Sequence, residues 1–264
     1  MTLSSLVRIL SASSVALLVC SGGAHAQQPA DSAAAHRKAV RAQGDFELYR
    51  RQSLPIRAVD AEQHNCDARI GRFCQWNSAD DTIPPNEPRG IKKGRLMLIK
   101  SLDGLARRAP RDGWIAGERV RYLLEAGDDS GAVAVARSCG ASEWWCAALL
   151  GLTLHESEKG LAADSAFAHA LATMPGDERC RWTDMSLVLN TAQRKRFGAV
   201  GCGQKEELAE RLWWLSDAFF ALPGNDRQAE HFSRHTMALI LQPTKIVYNL
   251  RWADDLREMV VRYG

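Results

Sequence analysis

The chain has 264 residues, of which 46% are hydrophobic and 25% charged, and its formal net charge is +3. That length supplies a hydrophobic core without help from metals or disulfides. The charge is too small and too scattered to argue for nucleic acid or an anionic membrane surface as a partner.

Residues 1–26 have the form of an export signal. Arg8 gives the positive start, Ile9 to Val19 a short apolar stretch, and Ala24-His25-Ala26 a small-x-small cleavage site before Gln27. The alternative is a lipid anchor on Cys20, since Leu17-Leu18-Val19-Cys20 has the outline of a bacterial lipobox, with Val19 where that pattern has Gly, Ala or Ser. Nothing further along is apolar enough to span a bilayer. Export implies a periplasmic, secreted or envelope-anchored protein in an oxidising compartment. The six cysteines beyond Cys20, namely Cys66, Cys74, Cys139, Cys146, Cys180 and Cys202, then read as disulfide partners. Many pairings are open, and the sequential set 66–74, 139–146 and 180–202 closes the shortest loops. No C-x-x-C occurs, which argues against zinc.

Residues 27–90 read as a flexible leader or frayed helix (27–44), a compact cysteine-bearing loop region with a turn at Gly71, and a linker punctuated by Pro84, Pro85 and Pro88. A helical period begins at Ile91. Leu96, Ile99, Leu102 and Leu105 mark a helix over 92–108. Trp114–Ala126 forms the next, stopped by Gly127, and Ser130–Cys139 a third. A fourth helix, capped by Ser142, carries Trp144, Trp145, Leu149 and Leu150, and a fifth runs from Gly160 to Met174. The short connectors make neighbours antiparallel. One helix is expected within 180–203, capped by Thr183 or Asp184 and ending near Arg194-Lys195-Arg196. In the last segment, KEELAERLWWLSD and DRQAEHFSRHTMALIL are helices, the second capped by Asn225 with Gln228 three residues on. Val260 and Val261 end the chain in a short strand or a terminal helix.

Residues 139–175 resemble a tetratricopeptide repeat, the 34-residue helical hairpin with the pattern W-x₂-L-G-x₂-Y…A-x₃-F…P. Leu150 and Gly151 take the L-G positions, Leu154 the Tyr position, Ala163 and Phe167 keep A-x₃-F, Ala170 adds a small residue, and Pro175 closes the unit. Ala147 stands where Trp is usual. Gly117 lies 34 residues before Gly151, which suggests a weaker repeat over 110–143, where Asp129 replaces the small Ala163. The resemblance implies a short solenoid over 91–178 that offers a groove to a protein or peptide.

Residues 179–264 are weakly similar to the domain named for its GWxTD motif, found in exported bacterial proteins. The shared features are a Trp-bearing helix before Asp217, then Asn225, Glu230 and Arg234, then Trp252-Ala253-Asp254-Asp255 and a closing Arg262-Tyr263-Gly264. Arg251 stands for the motif's Gly and Asp254 for its Thr. This likeness implies export and transfers no catalytic role.

Chemistry-bearing patterns are few. Glu230-His231-x₃-His235 places two imidazoles on one helical face, a spacing that suits a metal if a third ligand joins, but it is neither H-E-x-x-H nor H-x-x-E-H. In the tryptophan pairs 144–145 and 213–214, one ring of each is expected to be buried. No nucleotide loop or nucleophile motif is present, so no cofactor is expected. The sequence thus predicts a mostly α protein: helical hairpins, a helical C-terminal segment and a stapled N-terminal loop. Its expected role is a non-catalytic envelope scaffold that binds a protein or peptide. The alternative is a metal-dependent hydrolase using His231 and His235.

Overall fold

The computed structural model describes residues 24–54, 68–75, 86–217 and 224–264. The cleavage site's upstream segment, Cys20, Cys66 and most of the proline-bearing linker lie outside them. So do the lipid-anchor and Cys66–Cys74 expectations.

The described residues are mostly helical. α1 (Ala24–Ser53) is followed by the strands β1 (Ala68–Ile70) and β2 (Phe73–Gln75). Next come α2 (Arg89–Ala106), α3 (Gly113–Glu125), α4 (Asp129–Arg137), α5 (Glu143–Glu156) and α6 (Gly160–Thr173). α7 (Gly176–Trp182), a 3₁₀ turn (Met185–Leu187), α8 (Thr191–Gly198), α9 (Cys202–Ser216), α10 (Asp226–Leu241) and α11 (Asp254–Tyr263) complete the chain. Among the described residues, no helix is long and apolar enough to cross a membrane.

α1 is one continuous helix packed against its neighbours, where the sequence suggests a flexible leader or a frayed helix. It buries Ala35, Ala39, Gln43, Phe46 and Glu47 against its neighbours. Spacings of four, four, three and one keep these residues on one face. Alanines and two polar residues give that stripe little hydrophobic contrast, which is why the period escaped notice.

α2 needs a smaller correction. Ile91, Arg95, Leu98, Ile99, Leu102 and Leu105 face inward, whereas Leu96 is 60% exposed. A step of three residues turns only about 300° around a helix, so a strict i+3 series drifts off the buried face.

α3/α4 and α5/α6 are antiparallel hairpins with the expected limits. α3 ends in a Schellman motif: Gly127 has φ +75°, its N–H donates to the Leu124 carbonyl, and the Asp128 N–H donates to Leu123 O at 2.9 Å. α5 ends the same way through Glu158, at φ +58°, with the Lys159 N–H on Leu154 O at 2.9 Å. These matched ends lie 31 positions apart (158 − 127). At that spacing Ala132 corresponds to Ala163, and both are fully buried. Gly117 is the fifth residue of α3 and Gly151 the ninth of α5, so the 34-residue register pairs points one helical turn apart.

Cys139 and Cys146 lie at disulfide distance with Cα atoms 5.5 Å apart, as do Cys180 and Cys202. The first pair bridges the α4–α5 connection, and the second joins α7 to α9. The single helix expected over 180–203 is instead broken into the end of α7, the 3₁₀ turn and α8. The Asp184 carboxylate caps the turn through the Ser186 N–H at 2.9 Å. Asn190 and Gln193 then form a reciprocal capping box on α8. At Asn225 only half of that arrangement forms: its Oδ1 accepts from the Gln228 N–H at 3.0 Å.

α10 inserts Ala229, Phe232 and Ile240 into the core built by α1–α6, so it closes that core instead of starting another. Val260 and Val261 lie in α11 and pack near Ala238 of α10. The β1–β2 hairpin pairs Ile70 with Phe73 and turns at Gly71 (φ +52°). It docks on α11 through Arg72, whose Nε and Nη2 donate to the two Asp255 oxygens at 2.7 and 2.9 Å. Those bonds hold the Asp255 carboxyl well below the usual carboxylate range.

Candidate functional site

In the α5/α6 hairpin Gly151 and Phe167 meet at close range. A Cβ on Gly151 would stand 2.6 Å from the Phe167 ring, so only glycine admits this approach. Ala163, Phe167 and Ala170 are buried beside it, and Pro175 precedes α7 as its N-cap. Leu150 faces the other way and is half-buried. Gly117 makes a different contact: a Cβ there would lie 3.2 Å from both Ile240 of α10 and the Trp145 ring. α10 therefore already lies across the face of α3 and α5. Trp145 is buried, donating to Gly113 O at 2.8 Å, while Trp144 is half-buried; Trp213 is buried while Trp214 is exposed.

The opposite side of the hairpins is open. A groove of about 560 Å³ runs between α4, α5 and α6. Its floor is Ala136, Ala147, Leu150 and Ala166, with the Cys139–Cys146 bridge along it. Arg137 also lines it, as do Glu143 and His169, whose Oε1 and Nε2 lie 2.9 Å apart.

The motif around His231 is divided by the fold. Glu230 turns toward α5, where its Oε2 lies 2.6 Å from His155 Nε2, and it also accepts from Arg234 Nε at 2.5 Å. His231 and His235 turn inward, with ring centroids 4.5 Å apart. Trp213 lies 5.0 Å from His231, and Trp182 lies 6.0 Å from His235. Burial is the main force lowering the His231 pKa, to about 4, and it also holds that of His235 well below its usual value. Both rings are thus neutral at physiological pH. Neither Nε2 has a hydrogen-bond partner, and among the described residues no group of three or more His, Cys, Asp or Glu could hold a metal. The two histidines are brought together as a pair inside an aromatic core, and the third ligand that the hydrolase alternative needs does not join them.

Sequence reasoning missed a buried charge network between α1, α2 and α3. Arg121 Nη2 donates to Glu47 at 3.0 Å, its Nε to Glu125 at 3.0 Å, and its Nη1 to Glu118 at 3.4 Å. The Tyr122 hydroxyl donates to Glu47 at 2.6 Å and accepts from Gln43 Nε2 at 3.1 Å. Arg50 reaches Glu125 at 2.9 Å, and Arg95 pairs with Glu87. Burial, reinforced by the nearby Glu125 and Glu47, pushes the Glu118 carboxyl up to about 8. With Glu118 neutral, the carboxylates of Glu47, Glu87 and Glu125 balance the guanidiniums of Arg50, Arg95 and Arg121. The available signal was the i, i+3, i+7 spacing of Glu118, Arg121 and Glu125 beside the apolar Val120. The network has the geometry of a structural tie.

Family models, curated proteins and solved structures yield no match to this chain.

Proposed function

We propose that this is an exported, non-catalytic scaffold of the bacterial envelope, built on tetratricopeptide-like hairpins, that binds a partner protein through the groove between α4, α5 and α6. The observation that carries the reading is the placement of α10. The face of α3 and α5 that a short repeat stack would offer is occupied at Gly117 by the chain's own helix, whose Ile240 sits there and leaves a cavity of about 250 Å³ beside Trp114 and Trp144. The α4–α6 groove, at about 560 Å³, is the larger opening on the hairpins.

The occupant is a helix with an apolar stripe. The floor is three alanines and Leu150, which admit a close ridge, and the lining carries both signs of charge in Arg137 and Glu143. The molecule already seats one such helix, α10, on the hairpins' other face. Export is supported by two cysteine pairs at bonding distance, which persist in an oxidising compartment.

Site-directed photocrosslinking tests the reading. A benzoylphenylalanine at Ala162, an exposed lining residue of the groove, is expected to give a discrete adduct in intact envelopes that the same probe at Lys93 on α2 does not give. Identical adducts at both positions, or none at Ala162, would refute the groove as the partner's seat.

A further inference from the structure

A second cavity, of about 520 Å³, opens between α7, α10 and α11, away from the α4–α6 groove. Its walls include Trp182, His235, Gln242, Trp252 and Arg257. Two features set it apart from a simple packing defect. First, Arg257 is half-buried, and among the described residues no carboxylate lies within ion-pair distance of it. The cleft's other guanidinium, Arg181, is already satisfied by Asp177 at 3.3 Å and Glu178 at 2.5 Å. Second, the cleft is backed by buried polar atoms with no partner in the protein. His235 Nε2 and Trp182 Nε1 both lack hydrogen bonds, and their residues are 3% and 1% exposed.

A guanidinium without an acidic partner in the wall of a cavity that tryptophan also lines is an arrangement that suits a bound anion. Arg presents a planar fork that suits a carboxylate, and indole walls favour a flat apolar body. The volume falls in the range of small-molecule sites. Asp254 also lines the cleft; it is exposed in the first turn of α11, where an acid suits the helix start.

We propose that this cleft binds a small organic anion, a planar carboxylate whose charge is held by Arg257 and whose body lies along Trp252. The site goes beyond the scaffold reading and does not depend on it.

The test uses the full chain with its cysteine pairs oxidised, titrated with 2-naphthoate and with its neutral isostere 2-naphthamide, by calorimetry and tryptophan fluorescence. Saturable one-to-one binding of naphthoate is expected, at least about tenfold tighter than naphthamide. Arg257→Gln is expected to abolish that preference and Arg257→Lys to keep part of it, with circular dichroism unchanged. Asp254→Asn is expected to leave naphthoate binding equal or tighter. Absence of saturable naphthoate binding up to about 1 mM overturns the proposal. So does equal affinity for the two probes, or an undiminished preference in Arg257→Gln.

Discussion

Two residues at equivalent stress points show how backbone geometry sets side-chain choice. Gly151 lies in a helix interior, where alanine is intrinsically better by about 1 kcal/mol. Here the added methyl would press on ring carbons 2.6–2.8 Å away, and Phe167 is itself held by Phe232 at 5.7 Å between centroids. Overpacking of this kind costs about 1–3 kcal/mol, so crowding outweighs propensity. Gly151→Ala is therefore expected to lower the melting temperature by several degrees. Glu158 is the converse case, a side-chain-bearing residue held at φ +58°, where Gly127 does the same task at φ +75°. Glu158→Gly is expected to stabilise by about 0.5–1 kcal/mol, a rise of about 2 °C in a chain of this size. A melting scan of both variants checks the pair, and a stabilised Gly151→Ala would mean that the hairpin repacks freely.

At the scale of elements, α1 is tied to α3 by buried charges, and this tie has a pH signature. The Glu118 pKa is raised to about 8 from 4.5. The folded protein therefore keeps a proton that the unfolded chain releases, and stability falls as pH rises between those values, by up to about 1.4 kcal/mol per unit of difference. His231 and His235 act oppositely. Their pKa values are lowered from 6.5, so the unfolded chain takes up protons that the fold refuses, and stability falls as pH drops below 6.5. Where the windows overlap, two histidines outweigh one glutamate. Chemical denaturation against pH is therefore expected to give maximum stability near pH 6.5, and Glu118→Gln to extend that plateau toward pH 8. An unchanged alkaline slope in the variant would contradict the assignment.

The same scale explains what was legible in the sequence. α3 to α6 were readable because helix stops such as Gly127 and Pro175 punctuate apolar stretches, although the Ser142 side chain makes no capping bond on α5. α1 was not, since its buried stripe is Ala35, Ala39, Gln43 and Glu47, residues that score as polar or neutral. Within 180–203 one helix starting at Thr183 or Asp184 is expected; Asp184 does cap an element, and the apolar spacing gives no sign that Asn190 starts a further one. For the candidate site, the i, i+4 histidine spacing located a real side-chain pair but not its surroundings, which come from Trp182 and Trp213, 49 and 18 positions before His231. Nothing local marks Arg257 as unpaired, because that depends on which acids the fold brings near it.

For the whole molecule, the decisive relation is between the hairpins and α10. The segment after residue 178 resembled a separate unit, yet Phe232 and Ile240 share one core with Ile115, Leu149 and Phe167. Placing the partner on the α4–α6 groove depends on that core being permanent. Native-state hydrogen exchange of the oxidised full chain tests this directly, since amides in core helices open only with global unfolding. If α10 is integral, the amides of residues 232–240 are expected to exchange in the slowest class together with those of residues 148–154 in α5. Exchange of α10 orders of magnitude faster than α5 would mean that the face of α3 and α5 is intermittently bare, and would contradict the placement of the partner's seat.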